Sequence, residues 1–271
     1  MVSDFINPRH KHNGQDRRNR TNKTGNSQPA NEPKAATVDS RWKGLLKVGG
    51  LAPIALVAIV TVEFIIITVW PPPTTVLGWF TLFQKNMALA LLDYPILDAA
   101  VIALLGPMFL ALYFVLRRAN ETYVTIAVPF VFAGIASYWA TTTAFSMLYL
   151  SDEYATATTD AQRSLFLAAG QALISTGLGG LFSSMGFLLI TIAGLIVSIA
   201  MLRSTAFNKG IAIIGIVANI LTLSNYVGLA LVPTTISYFS PEGIVGGILL
   251  FAWWVLIGLR LYQIGSSLPS R

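Results

Sequence analysis

The sequence predicts an all-α fold, a polytopic membrane bundle of six transmembrane helices with one or two interfacial helices. Hydrophobic residues make up 54% of the 271-residue chain and charged residues only 11%, against about 25% charged in soluble domains. Six uncharged apolar runs each approach the roughly 20 residues that a helix needs to cross a bilayer. In the topology that these runs imply, basic residues collect on one side of the membrane, which is typical of multi-pass proteins.

We expect residues 1–44 to form a disordered, basic cytoplasmic tail. Ten of the eighteen basic residues lie within residues 1–47, among Asn, Gln, Pro and Ser, and such a composition cannot bury a core. The first apolar run begins near Gly49, so we predict a signal anchor rather than a cleaved signal. The cluster from Arg17 to Arg20 favours loose attraction to anionic lipid. Specific nucleic-acid binding is the weaker alternative, because no aromatic residue interleaves the cluster.

The six apolar runs are predicted as membrane spans. They cover about residues 51–70, 97–116, 123–148, 178–202, 210–232 and 243–262. The predicted divisions are the tail, a six-span membrane domain at 45–265 and a short cytoplasmic C-terminus at 266–271.

Two further segments are apolar but are not predicted as spans. Residues 75–94 are split by Gln84, Lys85 and Asn86 and follow three prolines, which favours an interfacial or re-entrant helix. Thr159 and Gln162 have the spacing of a capping box, which predicts a helix start. The uncharged stretch that follows, up to Leu202, is too short for two crossings and a turn. Its first part is predicted as an outer-surface helix or an extension of span four.

The basic residues also predict orientation, because Lys and Arg accumulate in cytoplasmic loops and tails. With both termini inside, sixteen of the eighteen basic residues are cytoplasmic and only Lys85 and Arg163 are outside. A seventh span at 76–92 would move Arg117 and Arg118 outside, so six spans fit better. Small residues in the last three spans also predict close packing among those helices. They include Gly186, Gly194, Gly215, Gly246 and Gly258.

Polar residues at membrane depth form the candidate site. Glu63 lies about 18 Å from the inner end of its span at 1.5 Å per residue, just past the middle of the membrane. Tyr138, Ser184 and Asn225 fall in a comparable layer. We expect Glu63 to face the bundle interior, largely neutral at pH 7 and hydrogen-bonded to one of these three side chains.

Two interpretations of this layer stay open. One is a buried proton or solute site centred on Glu63, and the other is a structural tie between helices. Asp98, at the outer start of span two, is predicted to be hydrated. Arg260 is predicted to extend its side chain to the inner surface.

The sequence lacks the residue sets of several enzyme classes. Cysteine is absent and the only histidines, His10 and His12, lie in the tail, which excludes disulfides and His-ligated haem or Cys/His metal sites within the membrane. No span carries HExxH, a serine with a basic partner, an intramembrane lysine or paired aspartates. We therefore predict a non-enzymatic protein with no metal and no other cofactor.

Four short blocks stand out in the sequence. They are YFVLRRANE (113–121), TTDAQRSL (158–165), MLRSTAFNKGIAIIGIVANI (201–220) and WWVLIGLRLYQIG (253–265). Together they resemble the prokaryotic integral membrane family described as domain of unknown function 4386, over about residues 45–265. The resemblance implies a multi-pass protein of a prokaryotic cell membrane, and it implies no activity, substrate or site residue.

Three classes of function remain. The leading hypothesis is a non-enzymatic subunit of a membrane assembly, or a small accessory or sensory component. The alternative is a small secondary transporter with a proton-linked Glu63, although the two three-span halves show no inverted repeat that aligns. A membrane enzyme comes third. The expected partners are the lipid bilayer, anionic lipid through the basic tail, and other membrane subunits.

Overall fold

A computed structural model describes residues 40–92, 97–177, 181–231 and 240–269, without the side chains of 176, 177, 181–184, 229 and 230. Over these residues the chain is helical. After one 3-10 turn, Ser40–Trp42, the described helices are α1 (Lys43–Val69), α2 (Val76–Lys85), α3 (Met87–Leu91), α4 (Leu97–Ala140), α5 (Ala144–Thr156), α6 (Asp160–Gly177), α7 (Leu181–Met201), α8 (Lys209–Leu231) and α9 (Pro241–Ser267).

Four described stretches are long and apolar enough to cross a membrane. They are Ser40–Val69, Leu97–Thr156, Lys209–Gly228 and Pro241–Ser267, and α7 adds the shorter apolar helix Met185–Met201. Large apolar side chains on them face outward, as with Phe64 at 57% exposed and Ile248 at 64%. Lipid tails solvate such side chains as well as a protein core does. The all-α class is therefore confirmed, and the helices indicate a membrane protein.

α4 consists of two antiparallel helices. Asn120 has non-helical backbone angles, φ −159° and ψ 74°. The hydroxyl of Tyr138, near the end of α4, lies 2.6 Å from Oδ2 of Asp98, 40 residues earlier. A straight helix would place these residues about 60 Å apart at 1.5 Å per residue. The chain therefore folds back at Asn120, and the turn carries Arg117 and Arg118.

The second helix of this hairpin is shorter than the predicted span 123–148. It ends at Ala140, and α5 begins after a three-residue break. The hydroxyls of Thr141 and Thr142 donate to the carbonyl oxygen of Tyr138 at 2.8 and 3.4 Å. The backbone N–H of Thr141 donates to the same oxygen at 3.1 Å, a tightened last turn of the 3-10 type. β-branched threonines have lower helix propensity, which favours the break.

α1, α4, α7, α8 and α9 form the main bundle, in which α1 packs on α4 and α9, and α7 packs on α4 and α8. Close approach depends on glycine. A Cβ added at Gly194 of α7 would clash with Oδ1 of Asn219 of α8, and one at Gly246 of α9 would lie 3.1 Å from the backbone nitrogen of Thr222 of α8. Small-residue packing of α7, α8 and α9 is therefore present. The crossing of α1 over α9, where a Cβ at Gly258 would lie 2.7 Å from a carbonyl oxygen of α1, was not predicted.

α2, α5 and α6 pack around a second apolar cluster centred on Phe80. α2 has 10 residues, about 15 Å of helix, half of a ~30 Å hydrocarbon core. It ends at Lys85, and Oδ1 of the next residue, Asn86, accepts from the N–H of Leu89 at 3.0 Å and caps α3. The predicted break in residues 75–94 is thus present, and the described part of this segment, up to Leu92, contains two short helices.

α6 starts at the predicted capping box. Oγ1 of Thr159 accepts from the N–H of Gln162, and Oε1 of Gln162 accepts from the N–H of Thr159, both at 3.2 Å. The reciprocal pair satisfies donors that the first turn leaves free. The helix start near residue 160 is therefore confirmed.

Candidate functional site

The α4 hairpin brings Asp98 and Tyr138 together. Asp98 is the second residue of α4 and Tyr138 lies two residues before its end, so only the fold-back at Asn120 places them side by side. The Tyr138 hydroxyl donates to Oδ2 of Asp98 at 2.6 Å. Both side chains are half-buried. This hydrogen bond fixes the open end of the hairpin.

Glu63 of α1 joins the same group. Its side chain shares a hydrogen bond with the side chain of Asp98, and it is half-buried where α1 packs on α4. A hydrogen bond between two carboxyl groups needs a proton, because ionised carboxylates have no donor. Glu63 and Asp98, called the carboxyl pair below, can therefore share this hydrogen bond only when one of them is protonated.

The carboxyl pair lies near one end of the bundle. Glu63 is six residues before the end of α1 at Val69, about 9 Å of helix. Asp98 and Tyr138 lie even closer to helix ends. The predicted span 51–70 ends only one residue later than α1, so the sequence count gives Glu63 nearly the same distance from this end.

The other predicted site residues lie elsewhere or outside the description. Asn225, only 5% exposed, donates from Nδ2 to Oγ of Ser240 at 2.7 Å. The same hydroxyl oxygen accepts from the N–H of Gly243 at 3.2 Å and caps α9. Asn225 thus holds α8 to the start of α9. Ser184 belongs to α7, but its side chain is outside the described part.

An aromatic row connects the carboxyl pair to α8. The ring of Tyr138 meets that of Phe187 edge to face, with centroids 5.3 Å apart. Phe187 in turn stacks on Tyr226 at 5.4 Å and 4° between planes. Such ring pairs add about 0.5–1.5 kcal/mol beyond area burial. The row packs against the ring of Tyr138, whose hydroxyl donates to Asp98.

Asp98, which the sequence predicted to be hydrated and did not place in the site, has two side-chain partners. Asp98 is the central member of the group, since it contacts both Glu63 and Tyr138. A search for two aspartates inside spans misses a mixed Glu–Asp pair at helix ends. The sequence did contain a signal for this pairing. Asp98 and Tyr138 lie at similar distances along the chain on either side of Arg117 and Arg118, so a turn at these arginines brings them together.

Arg260, which was predicted to extend its side chain to the inner surface, has a backbone partner. Its Nε donates to the carbonyl oxygen of Ala206 at 2.7 Å. The side chain thus ties α9 to the segment between α7 and α8. A charged donor on a carbonyl is among the stronger hydrogen bonds, so Arg260 stabilises this end of the bundle.

The carboxyl pair can bind and release a proton. Among the described residues, no group of three or more His, Cys, Asp or Glu side chains is arranged to hold a metal ion. When the shared proton leaves, two negative charges remain at hydrogen-bond distance. The pair therefore couples a protonation event to the contact between α1 and the α4 hairpin.

No protein-family model, curated protein or solved structure matches the chain. The family resemblance of the four sequence blocks stays a prediction. Function therefore has to be inferred from the geometry of the chain itself.

Proposed function

We propose that this protein is a non-enzymatic, multi-pass membrane protein that responds to protons through the carboxyl pair, as a sensory or accessory component of a membrane assembly. One observation carries the proposal, the hydrogen bond that Glu63 of α1 shares with Asp98 of α4. A bond between two carboxyl groups forms only while a proton is present. The packing of two bundle helices thus depends on proton concentration.

The repulsion between two ionised carboxylates is large enough to change the packing of α1 on α4. Two unit charges 4 Å apart repel by about 4 kcal/mol at an effective dielectric constant near 20. A hydrogen bond between membrane helices contributes about 0.6 kcal/mol on average. Repulsion therefore outweighs the remaining hydrogen bond from Tyr138 once both carboxyl groups are ionised. α1 then separates from the hairpin, or water enters between them.

We infer a topology of six spans with both termini cytoplasmic. The spans are α1, the two helices of the α4 hairpin, α7, α8 and α9. Support comes from one end of the bundle, where the hairpin turn with Arg117 and Arg118 lies and where Arg260 reaches Ala206. Basic residues favour the cytoplasmic side, so the carboxyl pair faces the outer side. Reporters fused after Arg271 and inserted within 152–160 should label opposite sides, and equal labelling would contradict this topology.

The experiment uses the absence of cysteine in the chain. Spin labels are attached to the variant Val69→Cys/Trp139→Cys, whose two positions are 57% and 51% exposed at the ends of α1 and the hairpin. We expect their distance to increase as pH rises from about 5 to about 9, a range that includes the raised pKa values known for buried carboxyl groups. Glu63→Gln should remove the change, because the amide donates a hydrogen bond without a titrating proton.

The matched control is Glu153→Gln, an acid of α5 outside the pair. It should keep the wild-type response. A distance that does not change with pH in the unmodified background would refute the proposal. So would a response that survives Glu63→Gln.

The second candidate is a proton-linked secondary transporter. It is favoured by the aromatic row, which extends from the carboxyl pair through Phe187 to Tyr226 and places ring and hydroxyl groups between helices where a solute could bind. Reconstituted protein would then dissipate a pH gradient, and Glu63→Gln would abolish that flux. A pH-dependent distance without any flux supports the sensory function and rejects the transporter.

A further inference from the structure

A basic groove lies at the opposite end of α1 from the carboxyl pair. It has a volume of about 520 Å³ and is lined by Ser40, Arg41, Lys43, Gly44, Lys47 and Pro269. Three of these residues are cationic and none is acidic. The groove is therefore a concentrated positive surface between the start of α1 and the end of α9.

The packing around the groove shapes its walls. A Cβ added at Gly265 of α9 would lie 3.0 Å from Cβ of Leu46, so α9 closely approaches the first turns of α1. Lys43 and Lys47 are one helical turn apart and lie on the same face of α1. Both are half-buried, so their alkyl stems pack against the protein. At Gly44 a Cβ would meet nothing within 4 Å, which leaves the groove open there.

The groove also lies where lipid headgroups are expected. Trp42, which lies between the groove residues Arg41 and Lys43 in the sequence, stacks on Phe114 with ring centroids 3.6 Å apart. The guanidinium of Arg117 lies 4.9 Å from the centroid of Phe114. Trp and basic side chains together are typical of the boundary between hydrocarbon and headgroups. Leu51, a little further along α1, is 52% exposed, as expected for a lipid-facing residue.

We propose that this groove binds the phosphate headgroup of an anionic phospholipid from the surrounding leaflet. Among the described residues, no carboxylate lies within 4.0 Å of the ammonium groups of Lys43 or Lys47. An anionic headgroup supplies the missing negative charge, and its acyl chains continue along the exposed apolar face of α1. Lysine binds phosphate as a point charge. A free phosphate would gain the charge contacts but not the apolar ones.

The test measures lipid binding to the full chain in detergent by native mass spectrometry, with phosphatidylglycerol and phosphatidylcholine as probes. We expect preferential binding of phosphatidylglycerol. Each basic residue near an anionic headgroup contributes about fivefold in affinity, so Lys43→Gln/Lys47→Gln should weaken binding by about 25-fold. Gly44→Phe should also weaken it, since the ring fills the groove without changing charge.

Three controls separate the groove from general attraction. Lys209→Gln removes an exposed lysine of α8 outside the groove and should bind as the wild type does. Arg17→Gln/Arg18→Gln/Arg20→Gln neutralises the tail cluster and should leave groove binding intact. Lys43→Arg/Lys47→Arg retains the charge and should retain binding, which would show that the fold tolerates substitution at these two positions.

Several results would overturn the proposal. One is undiminished binding to Lys43→Gln/Lys47→Gln or to Gly44→Phe. Another is an equal loss of phosphatidylglycerol binding in Lys209→Gln or in the variant with the neutralised tail, which would show that binding depends on net charge. Equal binding of phosphatidylcholine would show that the headgroup charge does not determine binding. Displacement by millimolar inorganic phosphate would identify a free phosphate site instead of a lipid site.

Discussion

The two ends of α1 place their ionisable side chains in opposite surroundings, one between helices and one in an open groove. Near its C-terminal end, Glu63 is half-buried and shares a hydrogen bond with Asp98. At its N-terminal end, about 30 Å away by helix rise, Lys43 and Lys47 line an open groove. The acidic end holds its charge-bearing groups between helices, where they contact one another. The basic end directs its groups away from the core.

The difference follows from the chemistry of the side chains. Carboxyl groups are short, and once protonated they donate and accept hydrogen bonds, so two of them can be buried in contact. Lysine has donors only, and its long stem can cover apolar surface while the ammonium group stays hydrated. An acidic end can therefore respond to protons through helix packing. A basic end is suited to binding an external anion.

The largest effect should come from disturbing the helix crossing beside the acidic end. A Cβ at Gly186 would lie 3.0 Å from the carbonyl oxygen of Gly134 and 3.2 Å from the backbone nitrogen of Tyr138. Gly186→Leu should therefore displace Tyr138 from Asp98 and destabilise the protein by about 3 kcal/mol, the upper range for overpacking. Thermal unfolding in detergent measures the loss.

Gly247→Leu is the matched control for that variant. A Cβ at Gly247 would meet nothing within 4 Å, so the new side chain faces open space. Leucine also has higher helix propensity than glycine. Unfolding at or above the wild-type temperature is expected, and equal loss in the two leucine variants would contradict the crossing as the cause.

Asp98→Ala should have the next largest effect. It removes the partner that joins the side chains of Glu63 and Tyr138, and removing one partner of a buried hydrogen bond costs about 1–3 kcal/mol. We expect a loss of about 2 kcal/mol in the same unfolding assay. Asp152→Asn, at an exposed acid of α5, should change stability little. Unchanged stability in Asp98→Ala would show that the Asp98 side chain is hydrated rather than packed between helices.

The pH dependence should also separate the two ends. The stabilising state of the carboxyl pair holds a proton, so its contribution is present at low pH and is lost as pH rises. We expect wild-type stability to fall by about 1 kcal/mol or more between about pH 5 and pH 9, from repulsion within the pair. Glu63→Gln should flatten this profile, and Lys43→Gln/Lys47→Gln should keep it. A profile of the opposite slope would assign the dependence to other groups.

Much of the fold could be predicted because it depends on local pattern. The apolar runs marked most of the long helices, and the box at Thr159 and Gln162 marked the start of α6. The composition around Gln84 to Asn86 marked a break. The end of the second hairpin helix at Ala140 was missed, because hydropathy continues past it while the threonines that follow end the helix.

The candidate site was harder to predict, because it depends on which helices meet. Glu63 and Tyr138 were selected from depth alone, yet Asp98 joins them only through the fold-back at Asn120. Asn225 has a similar depth but bonds to Ser240, close along the chain. Depth along a helix does not specify rotation about its axis. Unless the rotation of each helix about its axis is known, hydrogen-bond partners in one layer cannot be assigned.

Tyr138→Phe should give the smallest effect and the sharpest comparison. It removes one hydrogen bond, from the phenol to Asp98, while the ring stays in contact with Phe187. Hydrogen bonds between membrane helices contribute about 0.6 kcal/mol, so the unfolding temperature should fall only slightly. The carboxyl pair remains intact, and the fall of stability with rising pH should persist with the same sign. If Tyr138→Phe instead abolished the pH dependence, the response would belong to the tyrosine contact rather than to the proton shared by Glu63 and Asp98.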